Sequence, residues 1–169
     1  MKLRSYGILG SLAGAILVAD QVTKWLVRTR LALGETWMPW PALSPFARVV
    51  HWTNTGAAFG LFQNGGMVFT VLAILVSVAI IYYYRNTERA GWLVRLALAM
   101  QLGGALGNLI DRLTQGTVTD FISLGTFPVF NLADASISLG VALLLIDMLF
   151  EKDTPEGASA SAHSTSDQM

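Results

Sequence analysis

Apolar residues gather in four long runs, roughly Tyr6 to Val27, Met67 to Tyr84, Trp92 to Ile110 and Leu132 to Phe150, with polar residues collected between them. A helix rises 1.5 Å per residue and a hydrocarbon core is ~30 Å thick, so runs of this length predict four membrane-spanning helices. Met67 to Tyr84 contains no charged side chain. Spanning β-strands would alternate apolar and polar positions over about ten residues, and these runs do not alternate. The predicted fold class is therefore an all-α polytopic membrane protein, a single membrane-embedded domain over residues 1–152.

The segments between the helices carry a second pattern. Ala47 to Trp52 and Val118 to Ile122 are short β-prone runs, bounded by Pro45, Asn54 and Gly56 in one case and by Gly116 and Gly125 in the other. They predict a small β-containing platform on the extracytoplasmic face, resting on the helix ends. Lys2, Arg4, Arg85, Arg89 and Arg95 fall at one end of the predicted helices. The bias of basic residues toward the cytoplasm then places both termini inside, and the 28–66 and 112–131 loops outside. Tyr82, Tyr83, Tyr84 and Trp92 flank the tight turn between the second and third helices, as rings at headgroup level would. Residues 153–169 turn to Ser, Ala, Thr, Asp and Gly and are expected to form a disordered cytoplasmic tail. Leu12-Ala13-Gly14-Ala15 resembles a lipoprotein cleavage box with alanine in place of its cysteine. The first helix is therefore read as retained.

Composition narrows the chemistry. Only 13% of the 169 residues are charged, eleven basic and eleven acidic. No basic stripe marks a nucleic-acid partner, and the chain has no cysteine, which excludes thiol nucleophiles and disulfides. Two histidines, His51 and His163, are too few and too far apart for a zinc site, so neither metal nor cofactor is expected. Gly10 and Gly14, like Gly103 and Gly107, lie four apart and are expected to permit close helix packing.

Ionisable groups inside membrane helices carry the strongest signal, because each costs about 2.5–3.5 kcal/mol at a helix centre. Asp20 and Lys24 share one helix face and are expected to form an intrahelical ion pair that snorkels to the outer interface. Asp147, near Glu151 and Lys152, reads as a solvated charge at a helix end. Asp120 and Asp134 both fall near the outer boundary. Singly, Asp120 reads as a turn residue, and Asp134 as the third helical position of a capping box begun by Asn131. Together they point further, since two close carboxyls share one proton and can act as base and acid on water without metal or thiol. Spacing alone leaves three readings open: an aspartic hydrolase, a proton-coupled carrier built on Asp20, Lys24 and Asp134, and a scaffold in which the aspartates only cap and pair.

Five blocks in order resemble the signal peptidase II (lipoprotein signal peptidase) family: Asp20-Gln21-Val22-Thr23-Lys24, Asn54-Thr55-Gly56-Ala57-Ala58-Phe59, Gly103 to Arg112, Val118-Thr119-Asp120-Phe121, and Phe130-Asn131-Leu132-Ala133-Asp134. Gly60 and Ala135 depart from a pattern in which serine is frequent. The resemblance implies a bacterial inner-membrane aspartic endopeptidase with four helices. It would cut diacylglyceryl-modified prolipoproteins on the amino side of the lipidated cysteine, with membrane lipids around it. It implies Asp120 and Asp134 as the catalytic pair, and Asn54, Gly56, Asn108, Arg112, Asn131 and Ala133 as residues lining or shaping the site. Asp20 and Lys24 would be structural supports.

Overall fold

The computed structural model describes residues 2–56, 65–85, 87 and 90–151. The expectations for Ala57 to Gly60, Arg89, Lys152 and the 153–169 tail, His163 included, lie outside the described residues. Four helices carry the chain: α1 (Lys2–Arg30), α2 (Gly66–Tyr84), α3 (Trp92–Gln115) and α4 (Leu132–Glu151). All four are long and apolar enough to cross a membrane. Three strands, β1 (Thr36–Trp37), β2 (Ala47–Asn54) and β3 (Val118–Leu124), form an antiparallel sheet in the order β1-β2-β3.

Helix α3 is the central post, packed against α1, α2 and α4. It runs five residues beyond the predicted Ile110 and ends where Gly116 takes φ 73°, its N–H bonded to the Arg112 carbonyl. Asp111 and Arg112 are thus helical rather than the start of a loop. Asp111 stays in the helix because it is buried against cations, as described below. Close packing depends on glycines. A Cβ at Gly104 would stand 2.5 Å from the Ala133 carbonyl oxygen, and one at Gly103 would stand 2.7 Å from that of Ala13. Gly140 approaches α3 from α4 in the same way, at 2.8 Å from the Ala97 carbonyl oxygen. The expectation for Gly10 and Gly14 is overturned, since a Cβ at either would meet nothing within 4 Å. Their spacing is present, but none of the described residues packs closely against them.

Away from the sheet, Leu9, Ala13, Ile80, Tyr84, Leu98, Ala99 and Leu102 form an apolar core. Tyr84 belongs to it, 2% exposed with its ring 5.6 Å from that of Tyr6, whereas Tyr82, Tyr83 and Trp92 are exposed. Only the latter three fit the headgroup expectation, because the helical twist turns Tyr84 inward.

The sheet supplies the site's geometry. β2 and β3 pair with a one-residue register shift between Val49 and Trp52, beyond which Trp52 faces Asp120 and Asn54 faces Val118. The two-residue β1 carries no pattern long enough to predict. The Phe130 carbonyl accepts the N–H groups of Phe121 and Ile122. This clamps the start of α4 onto β3, bringing Asn131 beside Asp120.

Candidate active site

Asp120 sits mid-strand in β3 and is 1% exposed; Asp134 sits in the first turn of α4. The Asn131 side-chain oxygen accepts the Asp134 N–H at 2.9 Å, and the Asp134 carboxylate accepts the Asn131 N–H at 3.2 Å. This is a reciprocal capping box. The structural reading of Asp134 and its place beside Asp120 are therefore one feature: the cap pins the carboxylate that the site presents.

Three asparagines surround the pair. Asn54 donates to one Asp120 oxygen at 3.0 Å, and Asn131 donates to the other at 2.7 Å. Asn108 donates to Asp134 at 2.7 Å. In each amide the oxygen is already held by groups that can only donate. The Gly56 N–H holds Asn54 at 2.9 Å, the Asp134 N–H holds Asn131, and the Lys24 ammonium holds Asn108 at 2.9 Å. With their oxygens committed, the amide nitrogens have to face the carboxylates. Asn131 also donates to the Asn108 oxygen at 3.1 Å, which joins the two halves of the network.

Behind this layer lies a buried ionic cluster. Lys24 lies 2.9 Å from Asp20 and 3.2 Å from Asp111, with both partners essentially unexposed. The expected ion pair is present but the expected snorkelling is not, because Lys24 is 0% exposed and meets three acceptors inside the bundle. Asp20 also accepts the Ala133 N–H at 2.9 Å, and a Cβ at Gly107 would fall 2.5 Å from Asp20 Oδ2. Ala133 is fully buried against this helix crossing. Sequence reasoning left Asp111 without a role. It accepts the Thr119 N–H at 3.0 Å and meets Gln21 at 3.2 Å and Arg28 at 3.5 Å, tying β3 to α1 and α3. Its signal lay in the helical spacing: Asp111 follows Asn108 by three, and Arg28 follows Lys24 by four.

Arg112 stands to one side. Its guanidinium lies 5.6 Å from the Phe69 ring centroid and donates to the Asn108 carbonyl at 3.3 Å. It lines a cavity of about 420 Å³ with Thr55, Gly66, Met67, Thr70 and Gly116. Burial, and next the negative charge of Asp134, hold the Asp120 carboxyl up to about 7 against an ordinary 3.8. The amide bonds from Asn54 and Asn131 and the charge of Lys24 pull the other way. Near neutral pH the pair therefore holds a proton, as an acid–base couple on water requires.

A family model described as signal peptidase (SPase) II matches residues 12–150. The chain belongs to the signal peptidase II family. A lipoprotein signal peptidase of Moorella thermoacetica is 44% identical, over 82% of this chain and 90% of the relative. One of Acinetobacter baumannii is 42% identical, over 85% of each. A solved bacterial membrane enzyme superposes with a TM-score of 0.82 at 29% identity, over 90% of this chain and 93% of that one. All five sequence blocks that carry the family resemblance fall within the matched span. The chain is a multi-pass membrane protease of this family.

Proposed function

We propose that the chain is an aspartic endopeptidase that removes signal peptides from diacylglyceryl-modified prolipoproteins, cutting on the amino side of the lipidated cysteine. The observation that carries this reading is the pairing of Asp120 and Asp134 through one residue: the Asn131 side chain donates to Asp120 and its backbone N–H to Asp134. Asp120 holds the shared proton and Asp134 acts as base. The base takes a proton from water, whose oxygen attacks the scissile carbonyl carbon while Asp120 protonates the carbonyl oxygen. As the tetrahedral intermediate collapses, the proton on Asp134 passes to the leaving nitrogen and the C–N bond breaks. A hydroxyl of the intermediate returns a proton to Asp120, leaving the carboxylic acid product and the dyad in its starting state. Asn54, Asn108 and Asn131 hold the two carboxyls in place, Gly56 fixes Asn54, and Arg112 lines the approach. Asp20, Lys24 and Ala133 brace the helices behind them.

In this reading both termini are cytoplasmic, and the sheet and dyad lie at the outer face of the bacterial inner membrane. The substrate's acyl chains remain in the bilayer beside the site. A transmembrane proton relay would need ionisable groups spread along the bundle, whereas the buried ones among the described residues, Asp20, Lys24, Asp111 and Asp120, gather at the sheet end. The test is cleavage by the purified chain of a precursor with and without its diacylglyceryl group. Cleavage of the lipidated precursor alone is expected. Equal cleavage of both, or of neither, contradicts the proposal.

A further inference from the structure

Two cavities lie at opposite ends of α3. At the sheet end lies the Arg112 cavity, lined by Thr55, α2 and the end of α3. At the opposite end a second cavity of about 530 Å³ lies among Tyr83, Gly91, Val94, Leu98, Leu144 and Asp147. One stripe of α3 joins them: Val94, Leu98, Gln101, Ala105, Asn108 and Arg112 recur at alternating steps of four and three, hence on one face. Among the described residues, Asp147 is the only charged group lining the second cavity. It forms no ion pair or hydrogen bond with any described residue, and α4 carries no basic residue to neutralise it. Arg95, on the neighbouring turn of α3, directs its Nε to the Thr87 carbonyl at 3.3 Å and does not line the cavity.

We propose that this cavity binds the basic amino-terminal segment of the substrate's signal peptide, with a Lys or Arg of that segment against Asp147. The inference rests on the proposed reaction and adds a second anchoring point to it. Length and charge both fit. Gly91 and Arg112 are separated by 21 residues of α3, or ~32 Å at 1.5 Å per residue. A signal peptide of about 15–30 residues, with a basic start, an apolar middle and the cut at its far end, covers that distance as a helix. Its apolar middle would lie on the lipid-facing surface between the two cavities. Its positive start would then reach the carboxylate while its carboxyl end reaches the dyad. The competing role for Asp147 is to stabilise the amino terminus of α3, since its Oδ1 lies 3.6 Å from the Cβ position of Gly91. That role would act on every substrate alike.

The experiment uses the full chain in an uncharged detergent and two diacylglyceryl-modified precursors, one with its natural basic start and one with those residues changed to Gln. The wild-type enzyme should show a KM about threefold lower for the basic precursor, the size expected of a partly exposed ion pair, with kcat equal for the two. Asp147→Asn should abolish that difference by raising the KM of the basic precursor alone. Asp147→Lys should reverse the preference, giving the Gln precursor the lower KM. Equal KM values for both precursors on the wild-type enzyme overturn the inference even if neither variant folds. A variant that impairs both precursors equally, with a lowered melting temperature, overturns it in favour of the helix-terminus role. Failure of the wild-type enzyme to cleave either precursor removes the underlying reaction and the inference with it.

Discussion

The two ends of the helix bundle are held together by different chemistry. At the end away from the sheet, Leu9, Tyr84, Leu98 and Leu102 interlock as in any core. At the sheet end the largest fully buried side chains are Lys24, Asn131, Asp20, Asp111 and Asp120, all polar. Water drives the first kind of packing in soluble proteins, but in lipid an apolar contact exchanges one hydrocarbon surface for another. Direct pairing of buried polar groups is what fastens helices there, and each group left unpaired is strongly penalised. The polar end therefore specifies one geometry, and the two carboxyls inherit it.

The largest expected effects break that geometry at its centre. Asp120→Asn and Asp134→Asn should each lower cleavage of a lipidated precursor by about 10²–10⁴-fold, with membrane insertion intact. The double variant should lose little more, because the pair acts as a unit. Lys24→Met leaves Asp20 buried without a cation and Asp111 with only Arg28, 3.5 Å away, and should cost about 3–5 kcal/mol of stability in detergent unfolding. Unchanged melting in that variant would contradict the account of the polar end. Gly104→Ala places a methyl group against the Ala133 backbone and displaces the first turn of α4. A shift of the reacting groups by about 1 Å can lower turnover some 10²-fold, so kcat should fall further than stability does.

Sequence patterning reached the four helices and the two longer strands because apolar runs and β-prone runs are local signals. It also reached the Asn131 cap of Asp134 and marked Asp120 and Asp134 as a candidate pair. It stopped α3 too early, because Asp111 and Arg112 look like loop residues until the Lys24 and Arg28 side chains of another helix are beside them. Lys24 was placed at the interface for the same reason: its acceptors, Asn108 and Asp111, are more than eighty residues away. The inward turn of Tyr84 and the open surface over Gly10 and Gly14 depend on which helix packs where, and local spacing does not record that.

Smaller effects sharpen the contrast. The Asp120 pKa of about 7 lies above the ordinary 3.8, so the folded state holds this proton longer than the unfolded chain does. Its contribution to stability is then fully present below about pH 3.8 and is lost as pH rises through about 7. Thermal melting at pH 6 to 9 should show wild-type stability falling relative to Asp120→Asn, and cleavage should decline over the same alkaline range. Smallest of all, Gly14→Ala adds a methyl group to open space on α1. It should leave activity unchanged and change stability by no more than about 1 kcal/mol, in the direction of helix propensity.

The shared proton itself can be observed by infrared difference titration of the purified chain in detergent. A protonated carboxyl band that persists at pH 6, titrates near pH 7, disappears in Asp120→Asn and shifts in Asp134→Asn is the predicted result. Carboxyl bands that have all vanished below pH 5, or a band near pH 7 unaffected by both substitutions, would contradict the account.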